Sequence, residues 1–182
     1  MKTYSIAVFI GSLRQDSFNR KLATALTKLG PPDFTFRIAE IGTLPLYNQD
    51  EELHPAAAVQ SMKALVTGSQ GLLFVTPEYN RSIPGVLKNA LDQGSRPYGQ
   101  SVWAGKPAGI VGVSIGQIGT ALAQQHLRNI LAYLDVPTLG QPEVFLRADA
   151  ALDPAGHIQP GSREFLKTWM DRYVGWIKRH ND

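Results

Sequence analysis

The sequence predicts an α/β fold: a five-stranded parallel sheet in the doubly wound order 2-1-3-4-5, with helices on both faces. Three observations lead there. Short apolar runs without a polar side recur along the chain, as in YSIAVFI, GLLFV and PAGIVGV. The segments between them place apolar residues at helical spacing. The first run also passes directly into GSLRQDSFN, a loop of Gly, hydroxyl and amide residues that opens a helix. Strands with no polar face are buried on both sides, and only a parallel sheet sandwiched by helices buries so many.

Tyr4 to Ile10 reads as the first strand. Over residues 17–29, Leu22, Ala25, Leu26 and Leu29 recur at helical spacing until Gly30-Pro31-Pro32 stops the helix. FTFRIAEI is the second strand, and LPLYNQDEELHP a Pro-containing loop before a helix at 56–67. GLLFV is the third strand. After the loop TPEYNRSIPG, Ile83, Val86, Leu87, Ala90 and Leu91 mark an amphipathic helix. PAGIVGV is the fourth strand, 118–134 a long helix, PEVFL the fifth strand and REFLKTWMDRYVGWIKRH the closing helix. No repeat or linker divides the chain, so one domain spanning residues 1–182 is expected.

Composition narrows the function. The net charge of +3 comes from scattered basic residues, with one cluster in WIKRHND. A nucleic-acid binder gathers Lys and Arg on one face, so no nucleic-acid partner is expected, only a mild bias toward anions. With no cysteine there is no disulfide, thiolate metal site or Cys nucleophile. The apolar start MKTYSIAVFIGS is short for a secretion signal and runs into Arg14, Gln15 and Asp16. No stretch approaches the roughly 20 apolar residues of a membrane span. A cytoplasmic protein with no membrane partner is expected.

In the doubly wound order, the loops leaving strands one, three and four meet at the carboxyl edge of the sheet, where such folds bind ligands. In GSLRQDSFN, Ser12, Ser17 and Asn19 offer short donors beside the unpaired N–H groups of a helix start, a pattern suited to phosphate. Neither G-x-x-x-x-G-K-[ST] nor G-x-G-x-x-G is present, which points away from an ATP-type P-loop and a dinucleotide fold and toward one terminal phosphate. Ser17 serves equally well as a simple helix cap, and the loop alone does not decide between the two roles. In TPEYNRSIPG, Pro77 and Pro84 bracket a rigid segment able to present backbone N–H groups and Tyr79 to a flat ligand. SIGQIG, with Gly112 just upstream, permits close backbone approach.

GSLRQDSFN together with PEYNRSIPGVLKNALD strongly resembles the NADPH-dependent FMN reductase family of flavodoxin-like proteins, and within it the quinone and chromate reductases. The resemblance implies the flavodoxin-like fold, bound FMN, and two-electron reduction by NADPH or NADH of quinones, with chromate, azo or nitro compounds as further acceptors. By position it places Ser12, Leu13, Arg14, Ser17, Phe18 and Asn19 at the FMN phosphate. Pro77, Glu78, Tyr79 and Asn80 then lie along the isoalloxazine ring, and Ser114 near its pyrimidine side. Many relatives carry a second glycine where this chain has Thr120. It also implies a homodimer or homotetramer, since related reductases pair to complete the pocket; the Tyr98 and Trp103 stretch is a candidate interface, with Trp103 equally suited to the core.

Hydride transfer to flavin needs alignment more than a proton donor. Consistent with that, no certain catalytic acid or base stands out, although Glu78 and Tyr79 would flank the ring. His54, His126, His157 and His180 lie outside the three loops, in no metal-binding spacing. Arg81 and Arg96 are candidates for an anionic substrate, with a solvated surface role as the alternative. A flavodoxin-type one-electron carrier without a nicotinamide site is the competing function. Such carriers tend to be acidic and use a Thr-rich phosphate loop, unlike this chain.

Overall fold

A computed structural model describes residues 2–182. Five strands form one parallel sheet in the order β2-β1-β3-β4-β5. In chain order the elements are β1 Tyr4–Ile10, α1 Phe18–Thr27, β2 Phe34–Ile38, α2 Ala57–Thr67, β3 Gly71–Val75 and α3 Gly85–Gly94. Then follow β4 Ala108–Ser114, α4 Ala121–Tyr133, β5 Phe145–Arg147, α5 Ala148–Ala151 and α6 Pro160–Arg179. The flavodoxin-like order expected from the sequence is the one observed.

The strand pleat explains why the central strands have no polar face. Successive side chains point to opposite sides of the sheet. Ile6, Val8 and Ile10 of β1 therefore join Leu73, Val75, Val111 and Val113 under α1 and α6. Ala7 and Phe9 join Leu72, Phe74, Ala108 and Ile110 under α2, α3 and α4. Each fully buried Leu or Phe contributes about 1.5–3 kcal/mol, so two such layers supply the main stabilisation. On the α6 side Trp169 stacks on Tyr173, whose hydroxyl donates to the Leu72 carbonyl at 2.9 Å. Trp103 is fully buried among Phe9 and Phe74, and its indole N–H donates to the Leu91 carbonyl. It belongs to the core, whereas Tyr98 is exposed.

The element ends differ from expectation for local reasons. β5 starts only at Phe145, because Pro142 has no N–H to give a ladder and the chain first reaches β4 when Gly112 N–H bonds the Val144 carbonyl. α3 starts at Gly85, with Pro84 holding the cap position and Ile83 buried just outside the helix. α6 starts earlier than expected, with Pro160 in its first turn, where a missing N–H costs nothing. The four-residue α5 is too short to leave a periodic signal.

Candidate functional site

The loops after β1, β3 and β4 meet at the carboxyl edge of the sheet and enclose a cleft of about 560 Å³. Ser12, Leu13, Arg14, Ser17, Phe18 and Asn19 line it from the first loop, Pro77, Glu78 and Tyr79 from the second, and Ser114 from the third. Asn80 does not: it faces a smaller neighbouring hollow with Arg81, beyond the turn.

The β1–α1 loop ends at Ser17, whose extended backbone and buried Oγ, accepting from the Arg20 N–H at 3.3 Å, make it the cap of α1. Accepting uses a lone pair and leaves the hydroxyl proton available to a second partner. The N–H groups of Phe18 and Asn19, at the open end of the helix, have no protein acceptor among the described residues. Asp16, the one acid of this loop, is turned away into an ion pair with Lys21 that lowers its carboxyl pKa through the Lys21 hydrogen bond. The loop thus presents donors without a competing carboxylate. That donor set fits a phosphate.

The Asn19 side chain has a different task from the one expected. It is buried, donates Nδ2–H to the Val113 carbonyl at 2.8 Å and accepts the Val113 N–H at 3.1 Å. It ties α1 to the end of β4, and only its backbone N–H remains for an anion. Ser114 is similarly engaged. Its hydroxyl donates to the Gly119 carbonyl at 2.7 Å and accepts from the Gly116 N–H, closing the third loop on itself. Gly112 does allow close approach, but to protein: a Cβ there would lie 2.3 Å from the Thr76 carbonyl oxygen.

The second loop is a tight reversal in which Tyr79 and Ser82 exchange both backbone hydrogen bonds, at 2.9 and 3.0 Å. Its central residues Asn80 and Arg81 have φ of 49° and 62°, the left-handed values that primed hairpin turns require. Asn tolerates this region well; Arg does so at a cost. Glu78 anchors the reversal. Its carboxylate, on a side chain only 9% exposed, accepts the Leu122 and Ala123 N–H groups of the first turn of α4 at 3.0 and 3.2 Å, and Arg81 at 3.2 Å. It thus caps a helix from another loop. A second tether joins Ser82 Oγ to His126 Nδ1 at 2.8 Å.

Arg96 stands apart. It follows α3, whose ten residues span about 15 Å, and lines a separate hollow where it pairs with Glu52. The far end of the helix cannot serve a site at its beginning. Several cleft residues escaped notice in the sequence: Gly85 and Val86 at the start of α3, and Ile115, which is 81% exposed over the mouth. The Pro84-Gly85 pair before a periodic apolar run was the available signal for the former.

The chain resembles known proteins over nearly its whole length. The sequence profile of the NADPH-dependent FMN reductase family matches residues 4–151. A 2-hydroxy-1,4-benzoquinone reductase of a Burkholderia species is 52% identical over 175 residues, covering 95% of this chain and 96% of that protein. A quinone reductase of Pseudomonas putida is 47% identical over 179 residues, covering 97% and 96%. The solved structure of FerB, a flavoenzyme NAD(P)H:(acceptor) oxidoreductase from Paracoccus denitrificans, superposes with a TM-score of 0.92 at 40% identity, over 98% of this chain and 99% of that one. The chain belongs to the NADPH-dependent FMN reductase family. It is an oxidoreductase with FMN as cofactor and NAD(P)H as electron donor, and nothing among these likenesses favours the one-electron carrier. Among the described residues no helix is long and apolar enough to cross a membrane.

Proposed function

We propose that the protein, acting through one domain of residues 1–182, reduces quinones with NAD(P)H in the cleft formed by the loops after β1, β3 and β4. The observation that carries this reading is the cleft's two-part chemistry. One end, at Ser12, Ser17 and the first N–H groups of α1, gathers donors while Asp16 is turned away onto Lys21. The other is walled by Leu13, Pro77, Tyr79, Val86 and Ile115. A flat apolar ring joined to a terminal phosphate matches both. FMN held there would supply two-electron redox chemistry between NAD(P)H and a quinone.

The residues of the chain bind and orient. Ser12 and Ser17 donate hydroxyl protons to the phosphate, joined by the N–H groups at the start of α1. Arg14, exposed at the rim, adds a positive charge. Pro77, Glu78 and Tyr79 present the backbone edge of the ring site. Glu78 acts structurally, because capping α4 holds that edge against the third loop. Asn80 and Arg81 shape the reversal rather than the cleft floor. Leu13, Tyr79 and Ile115 leave apolar surface exposed around the mouth. A second copy of the chain would cover them, so we propose a homodimer or homotetramer as the working form, in the cytoplasm.

Replacing Ser17 with alanine separates its two roles. Loss of a hydrogen bond to a charged phosphate costs roughly 1.5–3 kcal/mol, about tenfold or more in FMN affinity. Loss of the helix cap lowers stability by about 0.5–2 kcal/mol. We expect both in a flavin titration and a thermal melt run side by side. A lower melting temperature with unchanged FMN affinity would leave Ser17 as a cap alone.

Donor and acceptor are both expected to use the one open cleft, and therefore to alternate. Initial rates with NADPH and a benzoquinone should give parallel double-reciprocal lines, the signature of a ping-pong order. Intersecting lines would require both substrates on the enzyme together. Absence of quinone-dependent NAD(P)H oxidation would refute the assignment of the acceptor.

A further inference from the structure

We infer that the chain carries a second anion site, a groove on the outer side of α1 that takes a nucleotide bearing more than one phosphate. The groove holds about 400 Å³, within the range of small-ligand sites, and no acidic residue lines it. Arg20 and Thr24 of α1 and Lys28 at its C-cap are spaced four residues apart and form one stripe along the wall, with Arg163 of α6 also lining it. None of these three cations has an acidic partner among the described residues. The other two basic residues of the groove are already balanced, Lys21 by Asp16 and His157 by Asp153 at 3.0 Å.

Ala25, Leu29 and Ile158 supply an apolar surface beside the cations, suited to a planar base. The spacing speaks to the number of phosphates. Residues 20 and 28 are about 12 Å apart along the helix, so the cations are spread over two turns of the groove, which leaves room for phosphates on two positions of one nucleoside. The groove and the cofactor cleft meet at Ser17, which lines both. Two sources share this chemistry: the adenosine 2′,5′-phosphate end of the NADPH donor, or a free nucleotide acting beside it. The first source rests on the NAD(P)H reading above; the existence of the site does not.

Equilibrium dialysis of the FMN-loaded protein against 2′,5′-ADP tests the inference. Saturable binding is expected, weakened at least tenfold in the double variant Arg20→Ala/Arg163→Ala and weakened by added salt. FMN affinity should be unchanged in that variant, and Arg37→Ala, a surface control on β2, should bind like the parent. Competition by 2′,5′-ADP against NADPH in steady-state rates would identify the donor as the natural occupant. Non-competitive behaviour would identify a separate nucleotide; either supports the site. No saturable binding, or binding that the double variant leaves intact, would overturn it. Flavin reduction by NADPH could persist in that case, so the two readings fail separately.

Discussion

Replacing Asn19 with alanine is expected to remove about 2–6 kcal/mol of stability and to weaken FMN binding along with it. Both polar atoms of this side chain are spent on the Val113 backbone, in a position only 3% exposed to solvent. Alanine would leave a buried N–H and a buried carbonyl without partners, each costing about 1–3 kcal/mol. Against a typical total of about 5–15 kcal/mol, that is a large share. Binding should suffer because Asn19 and Val113 both line the cleft, and their bond fixes the distance between the start of α1 and the third loop. Denaturant unfolding and flavin titration of the refolded variant read the two effects. An unchanged unfolding midpoint would mean that the α1–β4 tie carries little.

Replacing Gly112 with alanine should be nearly as damaging, by crowding instead of by loss. A Cβ there would lie 2.2 Å from Thr120 Oγ1 and 2.3 Å from the Thr76 carbonyl oxygen. The latter is backbone, so β3 and β4 would have to part. Overpacking of this kind costs about 1–3 kcal/mol and sometimes more. Thr76 and Thr120 introduce the second loop and α4, so the ring end of the cleft should shift and FMN should bind less tightly. Gly116→Ala is the matched control, because its nearest neighbour would be Ser114 Oγ at 3.5 Å, an ordinary contact. Equal melting temperatures for the two variants would contradict this account.

Much of the architecture was legible because its signals are one-dimensional. The bounds of β1 and β3 follow from runs with no polar side, and those runs fix the parallel sheet. The donor-rich end of the cleft was legible because a strand running into hydroxyl residues and a helix start concentrates donors whatever surrounds it. Side-chain direction was not legible. Asn19 and Ser114 look like ligand donors in the sequence, yet each turns back to the backbone, since only the third dimension places Val113 beside one and Gly119 beside the other. Glu78 looked like a ring neighbour, and its carboxylate instead caps α4, forty-four residues away in the chain. Arg96 sits at the end of α3, and sequence proximity to the second loop concealed the length of the helix between them. The groove beside α1 went unseen because Arg163 reaches it from the far end of the chain.

The central claim, that FMN held in this cleft carries electrons in pairs from NAD(P)H to a quinone, is tested most directly by one anaerobic titration. FMN-loaded protein is mixed with one equivalent of NADPH and then with one equivalent of benzoquinone, while the visible flavin absorbance is followed. The first addition should bleach the flavin fully and the second should restore it fully, with one hydroquinone formed. A flavin that NADPH leaves oxidised, or one that NADPH bleaches and the quinone fails to restore, would contradict it.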